Sequence, residues 1–203
     1  TYRSSLKTRV TVQDHWYTPH FVFRTPIVRE QIAVAAAASD PEAQRWLGWP
    51  QGIVVNEPER SRELRITPGT GSARTLATPG HEGLVVIDAA ARRVAGLVTV
   101  SPKDTGTADI GVVLAPDYRR RGYGSELFGA AAIFAHRHLG IAVVDAGTET
   151  THTASIRALS AAGFVAPEGP TPDTLPNGRT IDALWFRHSV DESTMCEGPQ
   201  PID

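Results

Sequence analysis

The stretch Asp109-Ile-Gly-Val-Val-Leu-Ala-Pro-Asp-Tyr-Arg-Arg-Arg-Gly-Tyr-Gly-Ser125 decides how the rest of the chain is read. Its first part is an apolar, β-branched run that reads as a strand, and Pro116-Asp117 turns the chain. Ser125 to Leu139 then carries helical periodicity, with Leu127, Ala131, Phe134 and His138 at spacings of four, three and four, and Gly140 as C-cap. A strand that passes through a glycine-containing turn into a helix leaves unpaired N–H groups at the positive helix end, a geometry that binds phosphate. Gly122 and Gly124 would let the backbone approach an anion, and Arg119, Arg120 and Arg121 add positive charge. Two other phosphate loops are excluded. No Gly-Lys dipeptide occurs, so there is no nucleotide P-loop, and Gly122-Tyr-Gly-Ser-Glu-Leu lacks the third glycine of the dinucleotide fingerprint.

Outward from this stretch the order of elements is mixed α/β. Upstream, Phe21-Val-Phe-Arg-Thr-Pro-Ile reads as a strand stopped near Pro26, and residues 27–38 have helical composition. Ser39-Asp-Pro-Glu42 starts a second helix that ends around Gly48-Trp49-Pro50. Residues 51–82 read as variable loop with a candidate helix over 60–66. Gly83 to Asp88 and Arg93 to Val100 form a hairpin that the Asp109 strand extends. Downstream come a strand over Ile141–Ala146 and a short helix over Thr153–Ala162 closed by Gly163. The last strands are Phe164-Val165 and Ile181–Arg187, joined by a loop holding Pro167, Pro170, Pro172 and Pro176. This gives a single domain over 21–188. Residues 1–20 precede it as an extension whose Val10/Val12 alternation marks a candidate strand. Residues 189–203 follow as a flexible polar tail.

Composition narrows the function classes. The 203 residues are 41% hydrophobic and 21% charged with a formal net charge of −2, and no block of like charges points to nucleic acid or a membrane surface. The single cysteine, Cys196, excludes an internal disulfide and a cysteine metal cluster. No apolar run approaches the roughly 18 residues of a membrane span, and Thr1–Leu6 lacks a signal-peptide core, so a cytoplasmic monomer or homodimer is expected. His136 and His138 are assigned to the surface and packing face of their helix, and no metal site is expected.

Arg119-x-x-Gly122-x-Gly124 resembles the Arg/Gln-x-x-Gly-x-Gly/Ala signature of the GNAT superfamily of N-acetyltransferases. Its context strengthens the likeness: Ile110-Gly-Val-Val-Leu-Ala-Pro-Asp-Tyr118 before it, a helix after it, and Ala154-Ser-Ile-Arg-Ala-Leu-Ser-Ala-Ala-Gly-Phe164 downstream. Ser39-Asp-Pro-Glu-Ala-Gln-Arg-Trp-Leu-Gly-Trp-Pro50 is similar to the segment typical of the RimJ/RimL-type subgroup, which acts on ribosomal-protein N-termini. The resemblance implies a mixed, mostly antiparallel sheet of about six or seven strands with flanking helices, splayed at the cleft that takes acetyl-CoA. It implies that amides from Arg120 to Ser125, Tyr123 included, hold the pyrophosphate. It further implies that Val112 N–H polarises the acetyl carbonyl, and that the Val113-Leu114 backbone runs beside the pantetheine arm. Trp46 and Trp49 would line the acceptor cleft. The subgroup often has Asn three residues before the serine matching Ser155. Here that position is His152, which puts the usual asparagine contact to the cofactor in doubt and brings a titratable group near the reacting sulfur.

Amide formation sets the remaining requirements. A neutral amine must attack the thioester, and a lysine-type amine of pKa ~10.4 costs roughly 4–5 kcal/mol to neutralise at pH 7, an α-amine near 8 about 1.4 or less. Candidates for moving protons are His152, Glu149 and Asp109, with Ser155 as donor to the leaving sulfur. The acceptor expected is a peptide N-terminus or a small amine-bearing metabolite or antibiotic. Competing readings are a non-catalytic acyl-CoA-binding or regulatory module and a transferase for a different acyl donor.

Overall fold

The computed structural model describes residues 16–24, 40–48 and 82–191. The candidate strand at Val10–Val12, the helical stretch 27–38, Trp49, residues 51–81 and the tail with Cys196 lie outside them.

Eight strands form one sheet: β1 (Trp16–Tyr17), β2 (Phe21–Arg24), β3 (Glu82–Asp88), β4 (Val94–Pro102), β5 (Thr107–Leu114), β6 (Val143–Glu149), β7 (Thr171–Thr174) and β8 (Thr180–Ser189). Their order is β1-β2-β3-β4-β5-β6-β8-β7, and every neighbouring pair is antiparallel except β5–β6. Parallel neighbours need a long crossover, and here it is α2 (Tyr123–Leu139). The other helices are α1 (Pro41–Leu47) and α3 (Thr153–Ala161). Among the described residues no helix is long and apolar enough to cross a membrane.

Alternation along the strands puts Phe21, Phe23, Leu84, Val86, Val98, Val100, Ala108, Ile110, Val144 and Ala146 on one face. All join one buried cluster with Leu127, Phe128, Ala131, Phe134 and Ala135 of α2. Burying each large side chain contributes roughly 1.5–3 kcal/mol, so this interface anchors the fold. The amino end of α2 is tied to the first hairpin through Glu126, which accepts from the Thr18 hydroxyl and the His20 amide.

Three expectations about strands need correction. The proline-rich loop before Ile181 contains β7, which makes eight strands together with β1. Pro172 is tolerated there because β7 is the sheet edge, where a missing donor costs no ladder bond. Phe164-Val165 is not a strand: only Val165 pairs, in a bridge with Arg187. The expected Ile141 strand starts at Val143 instead, because Gly140 is left-handed (φ 66°) and Ile141 N–H still caps α2 through Ala135 O.

At the far end of α2, His136 is 4% exposed. Its Nδ1 lies 2.6 Å from the Ile141 carbonyl, which can only accept, so Nδ1 carries the hydrogen and Nε2 accepts from His188 Nδ1 at 2.9 Å. Burial, and then the neighbouring His136, hold His188 below the ordinary histidine range. The unfolded chain therefore takes up a proton before the folded one. The contribution to stability is complete above the unfolded value near 6.5 and is lost as pH falls through the lower folded value. The urea midpoint should accordingly drop between pH 7.5 and 5. His188→Asn, whose amide can still donate to His136, should flatten that drop; an unchanged slope in the variant would count against the assignment.

Candidate active site

Strands β5 and β6 pair only at Thr107–Val143, Ala108–Val144 and Asp109–Asp145. Beyond that point Ile110 to Leu114 continue on β4, and Ala146 to Glu149 on β8, so the two strands part into a V. Ala115 N–H donates to Ala95 O, and alternation from this bond turns the Val113 and Gly111 amides toward β4 and those of Val112 and Leu114 into the V. Val113 presents only its side chain to the cleft.

At the mouth of the V the chain turns through Arg119–Gly122 into α2. Among the described residues no acceptor takes the backbone N–H groups of Arg120 to Ser125. These converge at a helix start, where the macrodipole is worth about half a positive charge. Arg120 (φ 61°) and Gly122 (φ 82°) are both left-handed, and the strained Arg120 backbone helps shape this turn. The two glycines have different duties. A Cβ on Gly122 would meet nothing, whereas one on Gly124 would sit 3.0 Å from Ala158 Cβ, so Gly124 lets α2 approach α3. Arg120 and Arg121 are exposed, and Tyr123 packs edge-on against Phe21.

Arg119 is used differently from what its sequence position implies. Its Nη1 and Nη2 grip Asp40 at 2.8 and 2.6 Å, and Nε donates to Leu114 O at 2.9 Å. Its charge is thus answered inside the protein, and this contact first, against some opposing burial, lowers the Asp40 pKa. Asp40 also caps α1 by accepting from Glu42 and Ala43 N–H. At the other end of α1, Gly48 is left-handed and touches Leu175 of the β7–β8 turn, and Arg179 Nη2 donates to Arg45 O at 2.7 Å. The same Arg179 binds Glu149 at 2.8 Å.

His152 follows β6 and faces α1. Its ring stacks on Trp46 with centroids 4.0 Å apart and planes 4° from parallel, and its Nδ1 lies 3.0 Å from Ser155 Oγ. Burial, partly offset by Glu42 and Glu149, holds its pKa below the ordinary range. Glu149 accepts from Thr151 and Arg179, bonds that hold it low, as a committed carboxylate. Asp109 pairs with Lys103 at 2.6 Å, off the hydrogen-bonding direction. It sits level with Asp145, four residues or ~13 Å along β6 from Glu149. The fold therefore brings His152, Ser155 and Trp46 together, leaves Glu149 beside them but occupied, and sets Asp109 apart.

A cavity of about 890 Å³ joins these parts. Its lining includes Val112, Leu114, Arg120 and Gly122 to Ser125 together with Trp46, Thr99, Asp109, Gly147, Trp185 and the His152–Ser155 pair. A family model of the acetyltransferase (GNAT) domain matches residues 20–165. The chain belongs to the GNAT acetyltransferase family. No curated protein matches it in sequence. Solved GNAT-fold structures similar to it include the ribosomal-protein-S5-alanine acetyltransferase of Vibrio fischeri (16% identity, 87% of this chain and 96% of that one, TM-score 0.69). A GNAT-family acetyltransferase of Bacillus anthracis matches at 17% identity, over 89% and 99% of the chains, with TM-score 0.69. The spermidine N-acetyltransferase of Vibrio cholerae, solved with CoA and spermine, matches at 14% identity, over 83% and 95%, with TM-score 0.67. These likenesses are of fold.

Three residues that position this GNAT site escaped the sequence reading. Asp40 was read only as part of the Ser39–Glu42 helix start, and its pairing with Arg119 across 79 positions leaves no local trace. Trp185 packs over Gly147, where a Cβ would meet its ring at 3.1 Å. Arg179 follows Asn177-Gly178, a strong hairpin signal that would have revealed β7 and the residue it delivers. Asp40→Ala removes both the cap and the partner of Arg119, and should lower stability in urea melts by roughly 1–3 kcal/mol. Asp40→Asn, which keeps the cap oxygen, should lose less; equal stability of Asp40→Ala and the parent would show that α1 is not held from this end.

Proposed function

We propose that the chain moves an acetyl group from acetyl-CoA to a primary amine by direct attack in a ternary complex. The observation that supports this most is the row of unpaired amides from Arg120 to Ser125 at the mouth of the V, opening on the same cavity as His152 and Ser155. Acetyl-CoA supplies an activated thioester and a diphosphate by which it can be held. In this reading the amides hold the diphosphate, with the exposed guanidinium groups of Arg120 and Arg121 beside it. Val112 N–H polarises the acyl carbonyl and Leu114 N–H pairs with the pantetheine arm, both from the parted edge of β5. Arg119 acts through Asp40 as a brace rather than as a phosphate ligand.

The acceptor enters from the side of Trp46 and the His152–Ser155 pair. Of the carboxylates lining the cavity, Glu42, Asp109 and Glu149 are answered by Arg119, Lys103 and Arg179, and Asp173, which has no ion pair among the described residues, favours the approach of an ammonium group. That suits a peptide α-amine or a small amine alike, in keeping with the two Vibrio enzymes of similar fold, named for a ribosomal-protein alanine and for spermidine.

The test combines binding and turnover. The protein with acetyl-CoA and a panel of N-terminal peptides and small amines should release free thiol faster than hydrolysis alone; no amine-dependent release would refute the transfer. Calorimetry should find that Gly122→Ala, strained by about 1–2 kcal/mol but open in space, still binds CoA. Gly122→Glu, which places a carboxylate among the amides, should weaken binding at least tenfold.

A further inference from the structure

The His152–Ser155 contact carries more than a choice between two candidates. Trp46 stacks flat on the imidazole and Ser155 pins Nδ1, so the ring is fixed both in plane and about its axis. Its other nitrogen, Nε2, has no partner among the described residues, and His152 lines the cavity. An imidazole held this way carries one hydrogen and one lone pair on opposite edges. If Nδ1 carries the hydrogen, it donates to Ser155 Oγ, which frees the serine hydroxyl hydrogen and leaves the Nε2 lone pair to the cavity.

We propose that His152 and Ser155 form one proton relay, taking a proton from the acceptor nitrogen at Nε2 and delivering one to the departing sulfur from Ser155 Oγ. The inference rests on the acetyl-transfer reading above. The atoms balance. The acceptor nitrogen, made neutral by loss of its ammonium proton to water before attack, bonds the acyl carbon as the carbon–sulfur bond breaks. One proton passes from that nitrogen to Nε2, the Nδ1 proton passes to Ser155 Oγ, and the original serine proton goes to sulfur. The products are an amide, a thiol, an intact serine and His152 as the other neutral tautomer, which exchange with water resets.

The relay needs a neutral imidazole, because a protonated ring has no lone pair to offer. The charged groups facing His152 are Glu42 and Arg45 from α1, and Glu149 from β6 with Arg179 bonded to it. Burial lowers the pKa, the two carboxylates offset part of that, and Arg45 adds to it. His152 is therefore neutral at pH 7, and activity should fail as pH drops through its lowered value.

Histidine 15N NMR of the protein without ligands, assigned by the signal missing in His152→Asn, should show neutral His152 with its hydrogen on Nδ1. A ring with the hydrogen on Nε2 would overturn the relay whatever the activity. With the best amine, His152→Asn and Ser155→Ala should each lower kcat at least tenfold. The double variant should be no slower than the slower single one, since both remove the same path. His152→Asn should also lose the acid limb of the kcat/KM profile while calorimetric CoA affinity stays within twofold. Multiplying losses in the double variant, an unchanged acid limb, or acetylated Ser155 in quenched mixtures would each overturn the relay. An absence of turnover with every amine would instead sink the transfer reading, leaving the tautomer measurement to judge the pair.

Discussion

Everything at this site depends on β5 and β6 being paired over a few residues and then forced apart. Parallel strands that continued past Asp109 and Asp145 would satisfy the amides of Val112 and Leu114 and close the cavity. Leaving such groups unpaired costs free energy unless water or a ligand meets them. The separation is braced by α1, which spans the V. Its first residues are tied through Asp40 and Arg119 to the Leu114 carbonyl at the end of β5. Its last residues are tied through Arg179 to Glu149 at the end of β6. Seven helical residues reach about 10 Å, twice the spacing of paired strands. The brace therefore sets how far the V opens.

This division of labour explains the arginine run. Three adjacent arginines suggest a single positive patch, but the backbone separates them. Arg119 is extended (φ −74°) and its side chain turns back to Asp40, while the next residue is left-handed. One arginine builds the frame, and its neighbours stay exposed beside the free amides. Losing the Arg119 charge to Asp40 costs the site little, since the helix start and its amides still favour an anion.

Much of the frame was legible because it is local. Asp40-Pro41-Glu42 and Gly48 bound α1, Gly140 ends α2, and the β-branched runs of β3 to β5 mark the meander. What stayed hidden depends on tertiary pairing or on a signal outweighed by another. The prolines around Pro172 spoke for a loop, and only its edge position lets β7 form. The turn from Arg119 to Gly122 into a helix could be read from its glycines, yet the separate duty of Gly124 follows from Ala158, which packing alone brings near. Likewise, no spacing rule relates Trp46 to His152; their stacking exists because α1 crosses the V.

Electrostatics then sorts the four residues first considered for proton transfer. A base is useful when its pKa lies near the working pH. Glu149, held low by Thr151 and Arg179, is too weakly basic to take a proton from an ammonium group, and releasing it would also loosen α1. Asp109 is paired with Lys103 at the closed end of the V, away from the mouth. Ser155 cannot accept a proton and give one away without a partner that replaces it. His152 touches that serine, is desolvated enough to be neutral, and retains a free nitrogen. In the relay proposed above, an asparagine at position 152 could still hydrogen-bond Ser155 but could not carry a proton through, so the proposed chemistry rests on this position being histidine.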